Sequence, residues 1–255
     1  MAEIPLILGL ETATMGGSVF LGRGEEELAA RVGSPQVSQS ASLLNDISEV
    51  LAEGHVSLRD VRLFACASGP GSFTGLRIGI ATLKALAASL YQPCVGIPTL
   101  HAVAHAAGPS PATVALLPAG RGEVFAQMFS VADDGAVLSL DTAAHLAPEK
   151  MVERYSAFKS LRWAGGGAQL QRDVIERHAR ENEILFGEAG GEWTAAAETS
   201  VTLEGWTLAA VENNLARHVA QLALQFFRAG KTESPDALMA IYVRPSDAEL
   251  NQPCR

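Results

Sequence analysis

The stretch from Ser68 to Leu90 constrains the fold more than any other. Ser68-Gly69-Pro70-Gly71-Ser72 is a glycine-rich turn, and Leu76, Ile80, Leu83, Leu86 and Leu90 then recur at helical spacing. A long helix with one apolar stripe is the expectation. Ser72 stands where its hydroxyl can cap that helix by accepting from an unpaired backbone N–H of the first turn. Just before the turn, Leu63 to Ala67 is an apolar run of strand length. Strand, glycine turn and amphipathic helix in succession form the repeating unit of a layered α/β domain.

The pattern extends in both directions. Leu6-Ile7-Leu8-Gly9-Leu10 reads as a buried strand and Ser18 to Gly22 as a second, with Gly16-Gly17 between them as a hairpin turn. Leu28 to Val32 is a third strand, ended by Gly33-Ser34-Pro35. Leu43, Leu44, Ile47, Val50 and Leu51 mark a helix with Gly54 as its stop. Val95 to Ile97 is a short strand and Leu100 to Ala107 a further helix. Gly108-Pro109-Ser110-Pro111 is the strongest linker signal, and beyond it the order restarts. Thr113 to Leu117, Glu123 to Val131 and Ala136 to Leu140 read as strands, Pro148 to Tyr155 as a helix and Leu161 to Ala164 as a strand. Gly165-Gly166-Gly167 leads into a helix ending near Ala179. Leu208, Val211, Leu215, Val219, Leu222 and Phe226 mark a long amphipathic helix closed by Gly230, and Ile241 to Val243 a last strand. No residue-level repeat joins the halves; the element order is what repeats. The expected fold class is α/β, built as two α/β subdomains, 1–107 and 108–255, with a cleft between them.

Composition narrows the class of partner. Lys and Arg number 19 against 28 Asp and Glu, a formal net charge of -9. Such a chain has no basic excess with which to neutralise phosphates, so it is not expected to grip nucleic acid alone. Cys66, Cys94 and Cys254 are odd in number and lack C-x-x-C pairing, as in a reduced cytoplasmic protein. The segment Met1 to Leu10 has no basic n-region, and no window approaches the ~20 apolar residues of a membrane span. A cytoplasmic protein without membrane contact is the expectation.

Three constellations invite chemical readings. Backbone N–H groups at a helix N-terminus reached through glycines form an anion site, so Gly71 and Ser72 could hold a phosphate. Glu11, with Thr12 at the end of the first strand, could orient a magnesium–phosphate group, or stay solvated there. The turn lacks the lysine of a P-loop. The alternative use of the glycines is packing: Gly75 and Gly79 lie one turn apart on one side of the helix, with the large groups Phe73 and Arg77 beside them, so another backbone can come close, within or between chains. His101 and His105 share a helix face and could ligate a metal, but no H-E-x-x-H glutamate separates them and no third ligand lies nearby. No G-x-S-x-G elbow is present.

Ser68-Gly69-Pro70-Gly71-Ser72-Phe73-Thr74-Gly75-Leu76-Arg77-Ile78-Gly79 resembles the signature of the bacterial TsaB (YeaZ) family. Leu8 to Thr12 resembles that family's opening strand, Pro93 to Leu100 its following strand and turn, Arg121-Gly122-Glu123-Val124-Phe125 its R-R-G-E-V-Y segment, and Ile241-Tyr242-Val243-Arg244 its C-terminal P-V-Y-L-R. The first hundred or so residues match well and the second half in islands. The resemblance implies a duplicated actin-like ATPase fold, shared with sugar kinases and Hsp70 proteins. It implies a non-catalytic subunit that supports a TsaD-like catalytic subunit, together with a TsaE-like ATPase. That complex forms N6-threonylcarbamoyladenosine at position 37 of ANN-decoding tRNAs.

Departures from the family pattern refine this. TsaD's H-x-x-x-H falls on Thr99 and Val103 here, two residues out of step with His101 and His105, so no metal site is expected. Pro118-Ala119-Gly120 stands where a phosphate-binding D-x-G-type turn would be, Glu11 replaces an aspartate, and Gln39 stands where many members have histidine. The expectation is no catalytic residue and no resident cofactor. Any ATP or ADP contact is weak, made at the partner interface and involving Glu11, Thr12, Gly71 and Ser72. The interface is expected on Leu43, Leu44 and Ile47 of one helix and on Phe73, Thr74, Gly75, Arg77, Ile78, Gly79 and Thr82 of the next. The same faces would make a homodimer of the isolated chain, and tRNA would be met only indirectly. Two other classes stay open: an autonomous nucleotide-binding phosphotransferase of the same fold, and a metallopeptidase.

Overall fold

A computed structural model describes residues 4–24, 26–34, 36, 39–188 and 205–243. They form two compact units, one up to Ala102 together with the chain from Asn213 onward, the other Val103–Glu212.

The first unit opens with β1 (Leu6–Glu11), β2 (Ser18–Arg23), β3 (Glu26–Val32) and α1 (Gln39–Glu53). It continues through β4 (Leu63–Gly69), α2 (Phe73–Ser89) and β5 (Cys94–Pro98), and α3 (Thr99–Ala106) carries the chain on. The sheet order is β3-β2-β1-β4-β5. β1 pairs antiparallel with β2 and parallel with β4, and β4 pairs parallel with β5. Every residue of β1 and of β4 is buried. That explains their continuous apolar runs, since a strand covered on both faces has no polar alternate positions. Leu6, Leu8 and Leu10 join Leu43, Ile47, Ile80 and Leu83 in the core beneath α1 and α2.

The second unit contains β6 (Ser110–Gly120), β7 (Glu123–Val131), β8 (Val137–Ser139), β9 (Ala144–Leu146) and α4 (Pro148–Tyr155). Then come β10 (Leu161–Ala164), α5 (Gly166–Leu170), α6 (Arg172–Glu181), β11 (Phe186–Glu188) and β12 (Trp206–Leu208). Its sheet runs β11-β12-β10-β6-β7-β8, with β9 also on β7. Trp163, Trp206, Tyr155 and Ile175 fill its core. α7 (Leu215–Arg228) then returns to the first sheet and packs across β1, β2, β4 and β5. It comes close to the sheet at Gly9, where a Cβ would lie 2.7 Å from the Ala216 carbonyl oxygen.

The structure differs from the sequence reading at several places, one of them the helix expected from Gly165 to near Ala179, which breaks at Gln171 into α5 and α6. The C-terminal helix belongs to the first unit, so the second ends at Glu212 and not at 255. An amphipathic stripe shows that a helix is covered, and any sheet of suitable shape can cover it. The helix begins at Leu215, where the Asn214 side chain accepts from Arg217 N–H, so Leu208 falls in β12 and Val211 in the connection. The supposed linker is short and pinned. β6 begins at Ser110, and the Arg162 guanidinium donates to the carbonyls of Ala107, Gly108 and Pro109 at 2.8, 3.2 and 2.8 Å. Ile241 to Val243 is not a strand: Ile241 N–H donates to Ser68 O at 2.7 Å without forming a ladder. Among the described residues no helix is long and apolar enough to cross a membrane.

Candidate functional site

The loop after β1 and the turn between β4 and α2 meet at one end of the first sheet. Glu11 closes the β1 loop. Its carboxylate accepts from Ala13 N–H at 2.5 Å, Thr14 N–H at 2.8 Å and the Thr14 hydroxyl at 2.5 Å. Burial pushes the Glu11 carboxyl above its ordinary value, while the Thr14 and Ala13 hydrogen bonds pull it partly back. On the other side, Ser72 N–H donates to Ala13 O at 2.8 Å, and the Ser72 hydroxyl caps α2 by accepting from Gly75 N–H at 3.2 Å. Gly71 passes so close that a Cβ would sit 2.5 Å from Ala13 O. A Cβ on Gly79 would collide with the Thr12 hydroxyl.

Glu11, Thr12, Gly71 and Ser72 are thus brought together as the sequence suggested. The Glu11 carboxylate is spent inside its own loop and the Ser72 groups join that loop to α2. Beside them a small cleft is lined by Glu11, Thr12, Gly16, Gly17, Ser18, Val19, Ser42, Leu43 and Asp46. Among the described residues no Lys or Arg lines it, so no cation there favours a phosphate.

The helices divide the expected interface in two. Leu43 and Ile47 are buried in the core under α1, whereas Leu44 is 65% exposed. On α2, Gly75 and Gly79 are buried, Phe73, Ile78 and Thr82 are partly covered, and Thr74 and Arg77 are exposed. The four inward residues therefore cannot contribute surface. The spacing of Gly75 and Gly79 does signal a close approach, but at Gly79 the neighbour is Thr12 of the same chain. The outward face of α2 carries Thr74, Arg77, Ala81, Ala85 and Ala88. These alanines were readable in the sequence, because they lie at helical spacing opposite the leucine stripe. The Arg77 guanidinium lies 3.8 Å over the Phe73 ring, whose far neighbour is Tyr242 at 5.4 Å between centroids.

His101 and His105 lie one turn apart on α3, and burial pushes both imidazoles below their ordinary range. Among the described residues no three His, Cys, Asp or Glu side chains gather as a metal site would require. Thr99 is buried and its hydroxyl accepts from Gly69 N–H at 3.1 Å, tying the start of α3 to the end of β4. Pro118 and Gly120 end β6, Arg121 turns the hairpin with φ 52°, and Glu123 pairs with His145 at 2.8 Å. The side chain of Gln39 and all of Arg244 lie outside the described residues.

Residues 36–224 match the family model described as TsaD, tRNA N6-adenosine threonylcarbamoyltransferase. The tRNA threonylcarbamoyladenosine biosynthesis protein TsaB of Escherichia coli is 30% identical over 188 residues, covering 71% of this chain and 80% of that protein. The TsaB of Haemophilus influenzae is 38% identical over 106 residues, 40% of this chain and 42% of that one. Among solved structures, an uncharacterized Pseudomonas aeruginosa protein with similarity to peptidase YEAZ superposes with a TM-score of 0.72 at 23% identity, covering 94% of this chain and all of that one. YeaZ from Pseudomonas aeruginosa gives 0.69 at 21% identity, covering 93% and 99%. The two α/β units are those of an actin-like ATPase fold. The chain belongs to the TsaB (YeaZ) family of tRNA threonylcarbamoyladenosine biosynthesis proteins.

Proposed function

We propose that this chain is the non-catalytic, partner-binding subunit of the cytoplasmic complex that forms N6-threonylcarbamoyladenosine at position 37 of ANN-decoding tRNAs. Its partner is a TsaD-like catalytic subunit, with a TsaE-like ATPase completing the assembly and tRNA met through the partner. The observation that carries this reading is the contrast at the head of α2. The groups that could have held a phosphate are turned on one another. The outward face of the same helix, Thr74, Arg77, Ala81 and Ala85, stands in solvent. Small side chains there let a partner helix approach closely, and a stacked arginine at one end supplies a charge-bearing anchor. In the absence of the partner the same face pairs with a second copy.

The reading assigns no catalytic group and no resident cofactor to the isolated chain. A nucleotide touching this chain would do so weakly and at the partner interface. Reconstitution of the modification from purified components tests it. Activity should require both the TsaD-like active site and this chain. Full activity without this chain, or turnover of ATP by this chain alone, would reject the reading, the latter in favour of an autonomous phosphotransferase.

A further inference from the structure

The chain beyond α7 crosses the edge of the first sheet as a strap, residues 231–243. β5 is the edge strand, and its first residue is closed off by that strap. Cys94 N–H donates to Glu233 O at 3.1 Å and Glu233 N–H to Cys94 O at 2.8 Å, while the Cys94 thiol lies 3.5 Å from the Glu233 carbonyl oxygen. Further along, Lys84 Nζ donates to Leu238 O at 3.1 Å, and Ile241 N–H reaches Ser68 O. The receiving surface is shaped for this path. Gly96 has no side chain where a Cβ would lie 2.6 Å from Leu238 Cδ1.

The strap is weakly held by comparison with the sheet. Of residues 229–243 only Leu238 is buried, at 1% exposure. A segment with few buried apolar groups and solvent-facing backbone bonds opens at lower free energy than the core it covers. Its far end carries Tyr242, which rests on Phe73 at the start of α2.

We propose that residues 231–243 act as a latch. They lift from β5 as a unit while the sheet stays folded, uncovering the outer edge of β5 and the Cys94 thiol and withdrawing Tyr242 from Phe73. The last part rests on the reading given above. If α2 offers its outer face to a TsaD-like subunit, that subunit holds the latch closed through Phe73.

Cys66 supplies an internal control. It lies on β4, one strand further in and paired with Gly96, and is 1% exposed. In a Cys254→Ser background, alkylation by iodoacetamide in sub-denaturing urea, read by peptide mass spectrometry, should modify Cys94 at least tenfold faster than Cys66. Tyr242→Ala should speed Cys94 several-fold further and leave Cys66 unchanged. Equal rates at the two thiols, both set by global unfolding, would overturn the latch whatever the partner does. The TsaD-like subunit, with complex formation confirmed in the same sample, should slow Cys94 alone. Rapid Cys94 labelling that a bound partner leaves unchanged would overturn the coupling. A partner that does not bind at all would overturn the functional reading while the difference between Cys94 and Cys66 still decides the latch.

Discussion

The two sides of α2 are built from similar residues and do opposite work. Inward, Gly75 and Gly79 are buried, and Gly79 is small because the chain's own β1 loop presses on the helix, with Thr12 against it. Outward, Ala81 and Ala85 are small and exposed among the described residues. Smallness alone therefore does not mark an interface; smallness together with exposure does. The inner side should tolerate no added volume, and the outer side should tolerate it freely until a partner is present.

Gly79→Leu should be the most damaging change. The added side chain meets Thr12 directly, and overpacking of this kind costs about 3 kcal/mol. Urea denaturation should show a lowered midpoint or no folded protein, and a wild-type midpoint would mean that the helix can shift away from β1. Ser72→Ala removes the cap on Gly75 N–H and should cost about 1 kcal/mol by the same measurement.

Glu11→Gln should have a smaller effect that changes with pH. The folded-state pKa of Glu11 is raised, so the native state favours the protonated carboxyl. Its contribution is present below the ordinary value of 4.5 and is lost as pH rises through the folded pKa. Glutamine does not titrate. The variant should therefore gain on the wild type as pH rises above 4.5, and a stability gap that does not move with pH would contradict the burial assigned to Glu11.

Much of this contrast was readable in the sequence, and the missing part has a physical cause. β1 and β4 were legible because strands buried on both faces are apolar throughout. The Ser72 cap was legible because its role is local. The neighbour of Gly79 was not, since spacing reports that something comes close without saying what. Leu43 and Ile47 were placed on the interface because a helix stripe looks the same whether it meets its own sheet or another chain, and here it meets its own. Leu208 and Val211 continued a helical spacing that Asn214 in fact begins. The return of α7 to the first sheet depends on long-range packing that no local pattern encodes.

The smallest expected effect on stability carries the largest on function. Ala85 is exposed on α2, so Ala85→Arg should leave the unfolding midpoint within about 0.5 kcal/mol of the wild type. Sedimentation of this variant with the TsaD-like subunit tests the central claim most directly. The account predicts a folded chain whose affinity for that subunit falls at least tenfold. A complex of wild-type affinity would show that the outer face of α2 is not where the partner binds.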